Sequence, residues 1–454
     1  MRRYAFVGTG SRVQMYLAAL LGSHAGAGYP VAFCDTNEVR MAYHDRVVAD
    51  ARPDLRVPHY PAGDFDALLG RERPDVVVVT SPDATHAGYV GAALRHGADV
   101  VVEKPMTTDL AGLRQIRDAL AAPGAGRLTV TFNYRYSPRN TLVRRLIADG
   151  TIGEVTSVAF EWCLDTVHGA DYFRRWHRDK ATSGGLLVHK ASHHFDLVNW
   201  WLADLPEVAF ARGGLRFYGD DNARRRGLGA RPDRSRDAAD PGDPFGLDIT
   251  ADDKLRELYH AGEHLDGYIR DRDVFSGGIT IEDNLSVVVG YRRGASMAYT
   301  LHAHSPWEGY RVAVNGTAGR IELDVVERGH VVPATARAAI GAATAVVDPS
   351  AAVAHPNGGG PRPRGARLLL QRHWEPAEEV PIPSGTGSHG GGDAMLLDDV
   401  FRGPDICDPL RRQAGYVDGA ASVLVGVAGN ESLRTGQAVY VADLGLPPLT
   451  TGEV

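Results

Sequence analysis

Cysteine is scarce in this chain. Cys34, Cys163 and Cys407 are the three in 454 residues, and they lie far apart. An odd number at such spacing makes neither a disulfide framework nor a cysteine-rich metal site, and it fits a reducing compartment. Apolar runs are short, none long enough to span a bilayer. Arg2-Arg3 leads at once into strand and turn residues, with no apolar signal segment and no small-residue cleavage site. A cytoplasmic protein without membrane contacts is expected. Positive charge is not in excess either: 49 Lys and Arg face 56 Asp and Glu, a formal net charge of -7. Nucleic acid is therefore not an expected partner, and the cluster Arg224-Arg225-Arg226 sits among aspartates. Hydrophobic content of 44% is ordinary for a globular protein, and the length is enough for two cores, so two domains are expected.

What is present begins with a glycine turn. Tyr4-Ala5-Phe6-Val7 reads as a strand, Gly8-Thr9-Gly10-Ser11-Arg12 follows it, and helix-forming sequence starts near Val13. Strand, glycine turn and helix is the order of a dinucleotide site: glycines let backbone N–H groups approach a diphosphate, and the helix start favours its charge. A second strand, Val31 to Cys34, ends at Asp35, which suits the ribose hydroxyls of NAD and repels the 2′-phosphate of NADP. Val76 to Val79 is a β-branched run, the signature of a parallel strand covered on both faces. It delivers Thr80, Ser81 and Pro82, whose small or flat side chains leave room for a dinucleotide, and then His86, which either touches the cofactor or caps a helix. Val100 to Val102 carries Glu103-Lys104-Pro105 out of the sheet at the strand end where ligands bind.

Strand and helix signals alternate through the first 125 residues, including a helix face at Leu113, Ile116 and Leu120. Pro123-Gly124-Ala125-Gly126 sets a boundary between a dinucleotide-binding domain, 1–125, and a second domain, 126–454. The second domain opens with a helix over 138–149 and a strand over 155–162. Period-two runs at 285–289, 295–302, 311–314 and 320–323 then predict an open, mostly antiparallel sheet. The class is thus α/β, a Rossmann domain followed by an α+β domain. Residues 219–248 and 336–365 read as insertions, the first an exposed loop, and 414–432 as a helix returning to the body. His389-Gly390-Gly391-Gly392-Asp393 can bend over a pocket or form a turn.

With Glu103-Lys104-Pro105 beside the glycine turn, the chain resembles the Gfo/Idh/MocA oxidoreductases. Asn133-Tyr134-Arg135-Tyr136-Ser137-Pro138, Ile152-Gly153-Glu154-Val155, the run from Gly184 to Asp196, and Asn315-Gly316-Thr317-Ala318-Gly319 fit the same family in order and spacing. The resemblance implies a Rossmann domain, a C-terminal sheet domain for substrate and subunit contacts, and a nicotinamide cofactor, here NAD. It places Lys104 between nicotinamide and substrate, and His193 at the catalytic-base position. Three departures stand out: Val13 replaces the third glycine of the fingerprint, His189 replaces the usual aspartate, and Lys190 replaces an apolar residue.

The candidate cofactor residues are Gly8, Gly10, Ser11, Arg12, Asp35, Thr80, Ser81, Pro82, His86, Glu103 and Lys104. Arg12 is a phosphate contact and Glu103 an anchor for Lys104. Lys104, His193 and His189 are the catalytic candidates. His189 and His193 are four apart, so on one helix they share a face. The pair lacks the His-Glu-x-x-His pattern, and no metal is expected. Arg135, which clamps a substrate group or ties the domains, and Trp176, one wall of a sugar pocket, join Lys104, His189 and His193 as substrate-binding candidates. The expected reaction is hydride transfer to or from a secondary hydroxyl of a sugar-like or cyclitol substrate. Its alternatives are an NAD-retaining glycosidase working through transient C3 oxidation, and a non-catalytic sugar or nucleotide sensor. A homodimer or homotetramer formed through the open sheet is expected, because the alternating apolar residues at 285–289 and 297–301 would otherwise lie bare.

Overall fold

The computed structural model describes residues 1–238, 240, 242–332, 361–383, 391–403 and 408–449. Six parallel strands form the first sheet: β1 (Arg2–Val7), β2 (Gly28–Asp35), β3 (His59–Pro61), β4 (Val76–Val79), β5 (Asp99–Val102) and β6 (Leu128–Val130), in the order β3-β2-β1-β4-β5-β6. Both faces are covered, which is why the strands read as continuous apolar runs. Ala5, Val7, Val77, Val79, Val100 and Val102 point into one core, while Tyr4, Phe6, Phe33, Val76, Val78 and Val101 point into the other. The strand order reverses between β1 and β4, so a crevice opens at their carboxyl ends, between Gly8 and Thr80. β6 pairs with β5 through Val130, so this sheet extends past residue 125, where the Pro-Gly punctuation set the boundary. That punctuation marks the turn before the last strand rather than the end of the domain.

The second sheet has nine strands: β7 (Val155–Asp165), β8 (Pro206–Gly214), β9 (Asn284–Tyr291), β10 (Ser296–Ser305), β11 (Glu308–Gly316), β12 (Gly319–Arg328), β13 (Gly365–Arg372), β14 (Glu378–Glu379) and β15 (Val439–Tyr440). Their order is β14-β13-β12-β11-β7-β10-β9-β8-β15, with β7 and β10 parallel and the other pairs antiparallel. One face packs on the helix Ser192–Leu202 and on the long helix Tyr416–Thr435. The latter also reaches the first domain: Ala420, Val423 and Leu424 sit in the nucleotide-domain core, Val425 and Ala428 in the other.

Two expectations change. Leu285, Val287, Val289, Met297, Tyr299 and Leu301 are not a bare face; they are buried under the helices. The outward residues of the same strands are Ser286, Val288, Ala298 and Thr300, a mixed surface on which Val288 is 53% exposed. The 219–248 segment is exposed at half of its described residues and is not a bare loop. It holds a short helix, Asp220–Arg225, and is pinned by Arg231 to Asp243 and Asp273. Aspartate and arginine supply in ion pairs what apolar burial does not. The other proposed insertion, 336–365, and the His389-Gly390 end of the glycine-rich bend fall largely outside the described residues.

Candidate active site

Gly8 has a φ of +82°, and a Cβ there would lie 2.4 Å from the Ser81 amide nitrogen. No side chain fits, so the ends of β1 and β4 approach closely and leave a backbone-lined cradle. Thr80 fastens it by donating its hydroxyl to the Gly8 carbonyl at 2.5 Å. Ser81 and Pro82 stay accessible beside it. Asp35 ends β2 beside the turn, where its Oδ2 accepts the Thr9 amide at 2.5 Å and the Thr9 hydroxyl at 2.8 Å. Its Oδ1 accepts the Asn37 amide at 2.9 Å and Arg40 at 2.8 Å. Arg40 also reaches Asp266 at 2.5 Å. The carboxylate expected to face a ribose is therefore already engaged by its own loop. The Ser11 amide donates to the hydroxyl of Tyr259, a residue from the second domain, at 2.8 Å.

Arg12 and Glu103 serve each other. Arg12 Nε donates to Glu103 Oε1 at 2.5 Å, and the Tyr16 hydroxyl donates to the same oxygen at 2.7 Å. Burial raises the Glu103 carboxyl, but Arg12, Tyr16 and Lys104 outweigh it and hold it below the ordinary glutamate value. Arg12 is thus tied through Nε to the strand exit by Glu103, the residue expected to anchor Lys104. His86 is wholly buried, with Nδ1 2.8 Å from the Pro105 carbonyl oxygen and Nε2 2.8 Å from that of Ser81. It braces the two loops from behind.

At the mouth of the crevice, Lys104 Nζ donates to the His189 carbonyl at 3.2 Å. His189 Nδ1 lies 2.5 Å from Asp83 Oδ2. Asp83 starts the turn after β4, so this contact joins the two domains. Edge-on aromatic contacts hold the His189 ring: His177 at 4.2 Å, Tyr172 at 5.5 Å and Trp176 at 5.6 Å between centroids. Trp176 itself stacks on His177 at 3.7 Å and is partly exposed. Burial pushes the His189 ring well below the usual histidine range, and Lys104, His177, Arg175 and Lys190 push the same way. Burial drives the Asp83 carboxyl well up, opposed by Lys104. Burial thus disfavours the charged form of both partners.

The helix expected to carry both histidines is interrupted. Leu186–His189 is one short piece, and Ser192–Leu202 starts after Lys190-Ala191. His189 therefore meets Asp83, whereas His193 stacks on Tyr134 at 4.4 Å. Lys190 turns inward, 3.3 Å from the Tyr134 hydroxyl and 4.8 Å from the centre of the Trp162 ring. Arg135, a substrate-binding candidate, lies at the domain junction. It is 1% exposed, bidentate to Asp196 at 2.6 and 2.8 Å and bonded to Asp418 at 2.7 Å, so it ties the junction. Asp393 accepts the Asn133 amide at 2.7 Å, which anchors the described end of the glycine-rich bend at that junction. Among the described residues, no group of three or more His, Cys, Asp or Glu stands where it could hold a metal ion. Asp83 and Tyr259 escaped sequence reasoning. Asp83 was legible as part of a turn, but its partner lies 106 residues on; Tyr259 meets Ser11 across 248 residues.

A sheet that reverses order at a glycine cradle binds dinucleotides, and proton carriers and a cation gather at its mouth. These features define the class of dinucleotide-dependent oxidoreductases. Residues 2–132 match the profile described as "Oxidoreductase family, NAD-binding Rossmann fold", and residues 144–441 match "Oxidoreductase family, C-terminal alpha/beta domain". The chain belongs to the Gfo/Idh/MocA oxidoreductase family. It is 34% identical over 439 residues to YteT of Bacillus subtilis (strain 168), a protein named as an oxidoreductase, and the match covers 94% of each chain. An inositol 2-dehydrogenase of Rubrobacter xylanophilus is 28% identical over 33% of this chain and 40% of its own length. Among solved structures, an oxidoreductase domain protein from Kribbella flavida shares the fold with a TM-score of 0.63, 19% identity, and coverage of 97% and 100%. The WlbA dehydrogenase of Bordetella pertussis, solved with NADH and UDP-GlcNAcA, gives 0.60 at 16% identity, covering 98% and 99%. The enzyme is thus a nicotinamide-dependent oxidoreductase. Among the described residues, no helix is long and apolar enough to cross a membrane.

Proposed function

We propose that the protein moves a hydride between a secondary hydroxyl of a sugar-like or cyclitol substrate and NAD, and that Lys104, His189 and Asp83 carry the chemistry. The observation that carries this reading is the 2.5 Å contact of Asp83 with His189, beside Lys104 at the mouth of the nucleotide crevice. The Gly8 cradle fits a dinucleotide backbone, with Thr80, Ser81 and Pro82 beside it and Gly10 and Ser11 completing the turn. The bound nicotinamide supplies the hydride acceptor or donor. Asp83 fixes the His189 ring through Nδ1, and Nε2 receives the hydroxyl proton. Lys104 stabilises the negative charge that develops on the substrate oxygen. Trp176 offers a flat face to a sugar ring, and His193 lines the pocket on the Tyr134 side. This gives His189 the proton role that the family resemblance gave His193.

NAD is preferred because a 2′-phosphate would sit against Asp35, and the nearby Arg40 is held by two carboxylates. The relatives named as inositol dehydrogenases support a polyol or sugar substrate, and oxidoreductase names favour net redox over glycoside cleavage or sensing. Assaying nucleotide reduction with inositols and sugars tests the reading. His189→Ala should abolish turnover more completely than His193→Ala. The opposite ranking in two folded variants would return the proton role to His193.

A further inference from the structure

The segment Ile249–Tyr268 belongs to the second domain in sequence but lies against the nucleotide turn. It runs as a turn at Ile249–Ala251, a short helix at Asp253–Leu258 and two further turns at His260–Gly262 and Glu263–Asp266. Its contacts fall on the adenosine side of the crevice. Asn37 Nδ2 donates to the Gly262 carbonyl at 2.8 Å, Arg40 meets Asp266 at 2.5 Å, and Arg46 meets Glu257 at 2.5 Å. Ile249, Leu255, Leu258 and Tyr259 form a small apolar cluster that takes in Tyr43 of the nucleotide domain. The other side of the segment is fastened to its own domain. Arg234 binds Glu263 of the segment and Asp271 just beyond its end, where Arg270 binds Asp171.

We propose that this segment is a strap that gates the dinucleotide site, with Tyr259 holding the place of a diphosphate oxygen until the nucleotide enters. The Ser11 amide is one of the N–H groups a glycine turn presents to a diphosphate. Here the buried Tyr259 hydroxyl accepts that N–H at 2.8 Å, and the same hydroxyl would lie 3.4 Å from a Cβ on Gly10. A phosphate oxygen needs the same donor, so the two acceptors exclude each other. A phenol hydroxyl also donates. Once a phosphate oxygen takes the Ser11 N–H, Tyr259 can turn its O–H toward that oxygen, and the strap closes over the bound nucleotide. The Arg46–Glu257 pair is 60% and 48% exposed and holds little, so opening must chiefly break the Arg40–Asp266 pair, the Asn37–Gly262 hydrogen bond and the packing on Tyr43. Entry and release of the nucleotide then both wait on strap opening.

The inference rests on the cofactor assignment, and the test separates the two. NADH binding is followed by rapid mixing, using protein fluorescence. In the unaltered protein the observed rate should level off at high NADH, at the opening rate. Tyr259→Phe should raise that plateau about fivefold, the effect of one hydrogen bond. Gly262→Ala provides a second route, because its Cβ would lie 2.6 Å from Asn37 Oδ1 and lift the strap without touching the diphosphate donors. It should raise the plateau too, and speed NADH release. A rate that climbs linearly with NADH, or a plateau unmoved in both variants, would overturn the gate. Absence of NADH binding in equilibrium dialysis would overturn the cofactor assignment and the gate with it.

Discussion

Lys104 reaches the crevice because β5 ends one residue before Glu103, and Glu103 is pinned by Arg12 and Tyr16. Its backbone is therefore set by the nucleotide domain while its ammonium meets the second domain at His189. Lys104→Ala should leave folding and most nucleotide affinity intact and lower turnover by about 10² to 10⁴. Steady-state rates with a matched dialysis measurement check it, and near-normal turnover in a folded variant would remove Lys104 from the chemistry. Asp83 acts through His189. The acceptor form has a neutral His189 ring with Nδ1–H donated to Asp83 and Nε2 free, so the oxidation rate should rise with pH and then level. Burial, then Lys104, His177, Arg175 and Lys190, lower the His189 ring, Tyr172 packs on it, and Asp83, once ionised, faces Nδ1 with the opposing charge. Asp83→Asn removes that negative charge, so the rising limb should move to lower pH and the plateau should fall. An unshifted limb in pH–rate profiles would mean that Asp83 merely fills space. Gly8 and Lys104 could be placed at the crevice from the sequence because their signal is local, a glycine after a strand or a charge at a strand exit. Asp83 looked like any turn aspartate, since its partner comes from another domain.

Among the elements, strands were read most faithfully. Val76–Val79 is found as expected, because a β-branched run buried on both faces has few other uses. The helix over His189 and His193 was misread, since spacing reports periodicity and not the break at Lys190-Ala191. The Lys190 side chain is drawn inward, onto Tyr134 and Trp162. Arg135 was half legible. The sequence placed it at the junction, but its two carboxylates, Asp196 and Asp418, come from helices that begin at Ser192 and Tyr416. Burial pushes the Asp196 carboxyl up to about 7 even against Arg135, so this clamp is sensitive to loss of the cation. Arg135→Ala should destabilise the fold by about 3 to 5 kcal/mol, because it leaves two buried carboxylates uncompensated. Urea unfolding measures it; an unchanged midpoint with a raised KM would restore Arg135 to the substrate site.

The Gly8 crevice, the Asp83–His189 pair and the Ile249–Tyr268 segment lie along one seam between the two sheets. Among the described residues, no helix covers the far side of the nine-stranded sheet at Ser286, Val288, Ala298 and Thr300, and Phe210 is 38% exposed beside them. Arg311 bridges Glu161 at 3.9 Å and Asp324 at 3.5 Å on that surface. Such a mixed surface suits a subunit contact, and a dimer or tetramer is expected in solution. Mass measurement at micromolar concentration checks it, with a monomer of 48.8 kDa contradicting it.

The central claim is that hydride passes between a substrate C–H and the nicotinamide ring held in this crevice. Its most direct test is isotope transfer. The protein is incubated with NAD and a panel of carbon-deuterated inositols and sugars, and the nucleotide is then recovered for mass analysis. Deuterium on the recovered nicotinamide with at least one substrate, lost in Lys104→Ala and His189→Ala, is the expected result. Full occupancy by NAD with no deuterium transferred from any of the panel would contradict it.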